Sequence, residues 1–514
     1  MFTQREKLNL FWADAHTNLH TSHLEEIEKL FNHGKELIDF WPIAYYPHYH
    51  RKIKGFPVET WLKEKRIKEN WKFLQEFVIQ KNKKKGVVLF IGYEWQGDSN
   101  YGDHNVLYLD ENQPLHQCLK FPDLMKKLPR GKAIAIPHHT AYQVGQRGKN
   151  WDYHDEILSP FAEIYSGHGS SEQDITEDSL YRNFHMGPSV SGGTIFDGLA
   201  RGHKFGIIAS GDNHPCPAIY GHGLMACYAK ELSKESLWDS FLKRRVYGVS
   251  RDKIKLYYSL NGKMMGSMIT SNPPFTNRVE VEGGNSIHRI EIYRNNLLLA
   301  DYTHTGKWEK LPLKNRVRFK FKVEFGWGPD DTIYPEIGKK IWKGSLEVEG
   351  KIISIEKCWK NLGQMVYQEG EKYCRFTLTT SPVGRHSLET EGFIFEVEVP
   401  INSSLLFKIN EEKFIFKVRE ILKRSYLIGF LAEARKLAYE KWGFEGHYRK
   451  DPFWHHSYKF KINQGIPEVG YKAKFTYQEN LKEKKEDWYM VKVIQKDGSC
   501  AWSSPIWVRT EERK

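Results

Sequence analysis

The chain has 514 residues, 40% of them hydrophobic and 14% aromatic, which is ample for packed cores and excludes a mainly disordered protein. That length exceeds one ordinary domain, so two or three are expected. The formal net charge of +13 suits an anionic ligand. Because the lysines are mixed with glutamates in stretches such as "LKEKRIKEN" and "NLKEKKED", nucleic-acid binding is not expected. "MFTQREKLNL" lacks a signal-peptide core, and no run approaches about 18 apolar residues, so the expectation is a soluble cytoplasmic protein with no membrane span. Six scattered cysteines without C-x-x-C spacing fit free thiols in a reducing compartment.

In chain order, "NLFWAD" reads as a first apolar strand that opens into "WADAHTNLHTSH" (12–23). Ser22 and Glu25 form a capping box for a helix carrying Leu24, Ile27, Leu30 and Phe31 at helical spacing. "LIDFWPIAYY" is a strand, "WLKEKRIKENWKFLQEFVIQ" a helix and "KKGVVLFIGYEW" a strand. "KAIAIPHH", "PFAEIYSG" and "KFGIIASGDNH" are further runs of strand length, with helical segments such as "KESLWDSFLKRR" between them. This alternation predicts an α/β domain over residues 1–250, built on a parallel barrel or an open sheet.

From residue 251 the period becomes two: Ile254, Leu256, Tyr258 and Leu260 alternate with polar residues, as in antiparallel sheet. The tail reads as a β-hairpin turning at Asp497-Gly498, with Trp488, Tyr489, Trp502 and Trp507 as core. One helical pattern, Leu427, Phe430, Leu431, Ala434 and Leu437, stops at Gly443. Residues 251–340 and 466–514 are therefore expected to be two parts of one antiparallel β-sandwich, and 341–465 a mixed α+β insertion between them.

Sixteen of the 22 histidines lie in residues 1–250, many just beyond apolar runs. His16, His20 and His23 follow the first, and His48 and His50 follow "DFWPIAYYP". Glu94 ends "LFIGYE", with His104 ten residues on; His138 and His139 end "AIAIP", and Asp212 and His214 end "GIIASG". In parallel α/β folds the carboxyl ends of strands converge on one face, so these ligands would meet there. Imidazole with carboxylate suits zinc, manganese or iron, and this many ligands exceeds what one ion needs. Clustered divalent ions suit hydrolysis, most naturally of a phosphate ester, and a small phosphorylated or otherwise anionic substrate is expected. No G-x-S-x-G elbow, phosphate loop or H-E-x-x-H helix competes.

This ordered set resembles the PHP (polymerase and histidinol phosphatase) superfamily of metal-dependent phosphoesterases. The resemblance covers roughly residues 8 to 250 and rests on "WADAH", "GYEW", "GDHNVLY", "EIYSGHGSSE" and above all "SGDNH". It is nearest to a branch with a W-G-D-L-H opening and a β-rich C-terminal region ending much like "AWSSPIWV". The resemblance implies a distorted (β/α)7 TIM-like barrel with two or three metals at the strand ends. By position, His16 and Asp212 would bind the first metal and Glu94 would bridge it to a second, which His104 and His138 complete. His214 would serve a third metal with His20 or His23 and a histidine after the second strand, such as His48. Glu94, Asp212 and His214 are the implied catalytic set, and Asp14 an orienter of His16. Two positions depart from the pattern: Asn18 stands where H-x-H has its second imidazole, and Tyr46 stands where the second strand ends in T-D-H. These departures leave open a non-catalytic metal- or ligand-binding protein; separately, a two-metal site leaves open hydrolysis of a non-phosphate bond. Glu163 and His168 are expected as supporting groups, and Arg182, Arg201 and Lys204 as weaker substrate candidates, while His455-His456 is expected to be structural.

Overall fold

The apolar lead-in forms β1 (Asn9–Ala13), which becomes buried at Trp12 and Ala13 and so carries the histidine-rich segment inward. The computed structural model describes residues 7–174, 186–329, 337–382, 390–481 and 485–510. After β2 (Asn18–Leu19) comes a 3-10 turn, Thr21–Glu26, then α1 (Ile27–Gly34). The cap lies two residues before the expected Ser22: His20 is the N-cap, and its N–H donates to His23 Nδ1 at 3.1 Å. The chain continues through β3 (Phe40–Pro42), β4 (Ala44–Tyr45) and a hairpin of β5 (His48–Ile53) and β6 (Phe56–Trp61). Next is α2 (Glu64–Asn82), which buries Ile67, Trp71, Leu74, Phe77 and Val78 at helical spacing.

The wholly buried β7 (Val88–Trp95) follows, then β8 (His104–Tyr108), α3 (Phe121–Lys127) and β9 (Ala133–Pro137). The remaining elements of this stretch are β10 (Phe161–Ser166), β11 (Gly169–Ser170), α4 (Ile195–Ala200), β12 (Gly206–Ala209), β13 (Leu224–Ala229), α5 (Lys234–Leu242) and β14 (Val246–Val249). Strands β2, β4 and β7 run parallel, as do β10 and β12. The expectation of a parallel barrel or an open sheet is corrected at β8, antiparallel to both β7 and β9, and at β13, antiparallel to both β1 and β14. A short loop with no crossover helix joins β7 to β8, and such a connection permits only antiparallel pairing. Hydrogen bonds tie the strand sets together, among them Ala135 N–H to the Leu158 carbonyl at 2.6 Å and Asn18 N–H to the Asn213 carbonyl at 2.7 Å. Phe40, Phe90, Ile134, Ile136, Phe161, Ile208 and Met225 fill the core beneath, closed by Trp238 and Phe241 of α5.

By contacts the chain divides into two units, one of residues 1–282, 288–303 and 474–514, the other of 283–287 and 304–473. In the first, the tail hairpin turns at Asp497-Gly498 as expected, and its strand Cys500–Ser503 pairs with β14. Trp488, Trp502 and Trp507 are core residues there, but their partners include Tyr165, Phe196 and Ile207, so the tail belongs with the α/β stretch. Of the expected sandwich, residues 251–282 and 288–303 share the first unit with 474–514, where strand Met268–Thr270 pairs with Ile506–Arg509, whereas 304–340 falls in the second unit. Strand Arg316–Gly326 pairs along its whole length with Thr390–Pro400 inside the second unit, so that unit starts well before residue 341. Period-two alternation identifies a strand but not its partner. The helix Leu431–Trp442 ends at Gly443 with φ 60°, as predicted, whereas Leu427 lies in the strand Tyr426–Gly429 before it. All six cysteines are buried and none is in a disulfide. Among the described residues no helix is long and apolar enough to cross a membrane.

Candidate metal centre

The loop after β1 is held by Asp14, whose carboxylate accepts N–H bonds from His16 (3.1 Å), Gly211 (2.7 Å) and Ala218 (2.8 Å), and the Thr17 hydroxyl at 3.0 Å. Asp14 therefore fixes the backbone around His16 and ties it to the end of β12; it does not orient the imidazole itself. At position 211 a Cβ would lie 2.4 Å from the Asp14 carboxylate and 2.1 Å from the Asn213 amide, so any larger residue would have to displace them.

The His16 ring faces three carboxylates. Its Nδ1 is 3.3 Å from Glu163 Oε2, and its Nε2 is 3.5 Å from Glu94 Oε2 and 3.4 Å from Asp212 Oδ1. Glu163, at mid-β10, accepts the Ser210 hydroxyl on the oxygen facing His16 and the His139 N–H (3.2 Å) on the other. His138 Nε2 lies 3.9 Å from Glu94 Oε1. Three sets of side chains bring one donor atom each to within 4.8 Å of the others: His16, Glu94 and His138; His16, Glu163 and Asp212; and Asp103, His138 and His139. Two ligands of one tetrahedral ion with bonds of about 2.1 Å lie about 3.4 Å apart, the spacing of the Glu94 and Asp212 oxygens from His16 Nε2, while Glu163 faces the other ring nitrogen. His138 is 1% exposed, and neither of its ring nitrogens has a hydrogen-bond partner. Buried imidazoles rarely forgo both bonds, and a ligating nitrogen would account for it.

Electrostatics point the same way. Glu94, Asp103 and Glu163 are buried, and the Asp212 side chain is 5% exposed. Among the described residues Arg147 is the one permanent cation paired with any of the four, touching Asp103 and standing 3.6 Å from Glu94. Burial pushes the Asp212 and Asp103 carboxyls up, while His16 and Arg147 overcome burial to hold Glu94 low. Burial lowers His16, but Asp212, Glu163 and Glu94 outweigh it and raise the imidazole well above its ordinary range. Burial also keeps His138 and His139 neutral, with lone pairs free to donate. Four carboxylates opposite one guanidinium and the His16 imidazole leave a buried negative excess, which is costly unless further protons or cations offset it. This donor set fits divalent ions.

Of the predicted ligands, His16, Glu94, His138 and Asp212 come together. The amide nitrogen of Asn18 lies 3.3 Å from both His16 Nε2 and His214 Nε2, and its buried Oδ1 has no hydrogen-bond partner. His20 Nε2 and His214 Nδ1 are 2.5 Å apart, with His20 packed on the Tyr46 ring. The Tyr46 hydroxyl donates to Glu59 at 2.5 Å and accepts from Gln96 at 2.7 Å, so it is engaged where the resemblance implies a ligand. His48 packs on Trp61, with ring centroids 4.3 Å apart, and His50 is exposed. His104 is turned away: its ring stacks on Phe121, Nδ1 is 2.9 Å from the Gly102 carbonyl, and Nε2 is 3.2 Å from Lys149 Nζ.

Its neighbour Asp103 reaches the centre instead, and adjacent residues here face opposite ways. Glu163 stands among the donors, and His168, expected as support, has Nε2 3.1 Å from Asp212 Oδ2. Asp103, Arg147 and Lys149 were not anticipated; the "GDH" of 102–104 was the one signal for Asp103. Arg201 pairs with Asp152 and Lys204 with Glu486, away from these donors, while Arg182 lies outside the described residues. His455, in the second unit, pairs with Asp451.

No protein-family model matches the chain. It is 22% identical over 216 residues to an uncharacterized protein of Chlamydia pneumoniae, covering 39% of this chain and 34% of that protein. It is 28% identical over 210 residues to an uncharacterized protein of Chlamydia muridarum, covering 37% and 32% respectively. The chain thus spans about a third of the length of the curated relatives it matches. Among solved structures, a two-domain protein of Bacteroides vulgatus containing a predicted PHP-like metal-dependent phosphoesterase aligns with 80% of this chain and 99% of its own, at 10% identity and a TM-score of 0.31.

Proposed function

We propose that this chain is a metal-dependent hydrolase acting on a small phosphate ester in the cytoplasm. The convergence of buried Glu94, Glu163 and Asp212 on His16, beside the unpartnered His138, carries the reading. His16, Glu163 and Asp212 would hold one ion, and Glu94 and His138, beside the same imidazole, a second. Bound there, zinc, manganese or iron would supply Lewis acidity toward a phosphoryl group and an attacking water.

The protein's own groups do the rest. Ser210 and the His139 N–H fix the Glu163 carboxylate, and Asp14 fixes the loop that presents His16. His168, on Asp212 and partly exposed, is placed to hand a proton between the centre and solvent. His214, which burial keeps toward its neutral form, faces the same centre through Asn18 and is a second proton acceptor. The engaged Tyr46 argues for two ions, not three. Parallel β2, β4 and β7 and parallel β10 and β12 fit the two sides of a distorted barrel with the ligands at its strand ends.

Asn18 and Tyr46 also favour a second reading, a metal-binding protein without turnover. Purified full-length protein should be analysed for bound metal and screened with phosphomonoesters and phosphodiesters in Mn or Zn, beside Asp212→Ala and His16→Ala. Bound metal with Mn- or Zn-dependent phosphate release, lost in both variants, is the expected result. Metal without turnover would establish the second reading, and turnover surviving in both variants would sink the site assignment.

A further inference from the structure

We propose that Arg147 is the residue that recognises the substrate's anionic group, and that Asp103 is its positioning residue; this rests on the phosphoesterase reading above. The third donor set, Asp103 with His138 and His139, differs from the other two in that its carboxylate grips a guanidinium directly. Arg147 Nε donates to Asp103 Oδ2 at 2.5 Å, and Nη2 touches the same oxygen. This grips one edge of the guanidinium and leaves the rest of the fork directed elsewhere.

Nη2 stands 3.6 Å from Glu94 Oε1, too far for a hydrogen bond but beside the carboxylate that groups with His16 and His138. Nη1 meets the Met186 sulfur at 3.6 Å, a weak acceptor. A guanidinium with donors to spare next to clustered metal ligands is a ready partner for a phosphoryl oxygen, since the fork matches phosphate geometry. Exposure separates the roles. The Asp103 and Glu94 side chains are 0% and 2% exposed, whereas that of Arg147 is 26% exposed and so open to an incoming anion.

The backbone is shaped for this placement. Arg147 has φ 72°, a left-handed conformation uncommon for a residue with a Cβ, and its N–H is tied to the Ser99 carbonyl at 3.0 Å. Gln146 N–H and Gly148 N–H both return to the Gln143 carbonyl, at 2.9 and 3.1 Å. Such strain persists only where surrounding bonds impose it, and it gathers at binding sites. Simple neutralisation of Asp103 would need neither the strained turn nor the open edge.

The test titrates inorganic phosphate calorimetrically into the full-length Mn-loaded protein and into Arg147→Ala and Arg147→Lys, with metal content and melting temperature measured on each. Both variants should keep their metal within about twofold, while the phosphate Kd rises at least about tenfold; Arg147→Lys keeps the charge and loses the fork, so it answers even where Arg147→Ala is poorly folded. The KM for a phosphomonoester should rise by a like factor, with kcat changed less. Asp103→Asn should weaken phosphate binding in the same direction, whereas a purely structural pair would lower the melting temperature and leave the Kd alone. Phosphate binding unchanged in both Arg147 variants, or absent from the wild type, would overturn the proposal. Turnover with phosphate binding indifferent to Arg147 sinks this inference alone; Arg147-dependent phosphate binding without turnover of any phosphate ester sinks the hydrolase reading and keeps the anion site.

Discussion

Two imidazole clusters lie in the first unit, and adjacent residues of β8's entry separate them: Asp103 joins one and His104 the other. In the first, His16, His138 and His139 are interleaved with Glu94, Asp103, Glu163 and Asp212. In the second, His104, His154 and His203 gather around Lys149, Phe121 and Trp151. Among the described residues no carboxylate pairs with Lys149, and burial alone pushes its ammonium down to about 7. Both clusters are rich in nitrogen donors, yet one gathers buried carboxylates and the other surrounds an ammonium. The count of histidines therefore does not define a metal centre; the carboxylates among them do.

The largest effect should follow from removing a carboxylate of the first cluster. Asp212→Ala is expected to lower metal affinity by well over about 100-fold, beyond the 10- to 100-fold typical of losing a group that only orients a ligand. Metal retained after dialysis is the measurement, and wild-type retention in the variant would erase the distinction between the clusters. Ser210→Ala tests the next layer. It frees Glu163 from the hydroxyl that holds it and should cost about 10- to 100-fold in metal affinity by chelator competition.

Much of the first cluster was legible in the sequence because a strand end shows itself as an apolar run that stops at a ligand. That pattern found His16, Glu94, His138 and Asp212, and the strands β7, β9 and β12 behind three of them. It failed at β8, where choosing His104 over Asp103 turned on which face of one strand the interior lies. Arg147 was invisible for a different reason: a left-handed turn in a loop places it, and no periodicity reports that. In the second unit alternation predicted strands such as Arg316–Gly326, but their pairing to Thr390–Pro400 depends on contacts remote in sequence.

The second cluster makes its own prediction through pH. In the unfolded chain Lys149 titrates near 10.5, and in the folded chain near 7. Between these values the unfolded state holds a proton that the folded state has lost, so stability from this group rises with pH across that window, and its penalty is fully present below about pH 7. Lys149→Met keeps the length and removes the titration. It should be more stable than wild type by up to a few kcal/mol near pH 6, with the difference fading toward about pH 10, and metal content should not change. Urea unfolding at the two pH values checks this, and a difference independent of pH would mean that the ammonium is not desolvated as placed.

The smallest effect on metal decides most about where the clusters divide. His104 Nε2 faces Lys149 and its Nδ1 faces the Gly102 carbonyl, so both nitrogens are engaged away from His16. His104→Phe keeps a flat ring to stack on Phe121 and leaves Lys149 the Tyr153 carbonyl, at 3.2 Å, as its hydrogen-bond acceptor. Losing that partner should cost about 1–3 kcal/mol of stability. Metal affinity should stay within about twofold, as for sites that share no ligand. The resemblance to PHP enzymes implies the opposite, with His104 as a ligand and its loss as damaging as that of His138. If His104→Phe sheds its metal while keeping its fold, then the ligand follows sequence position, and Asp103 and His104 must exchange roles when metal binds.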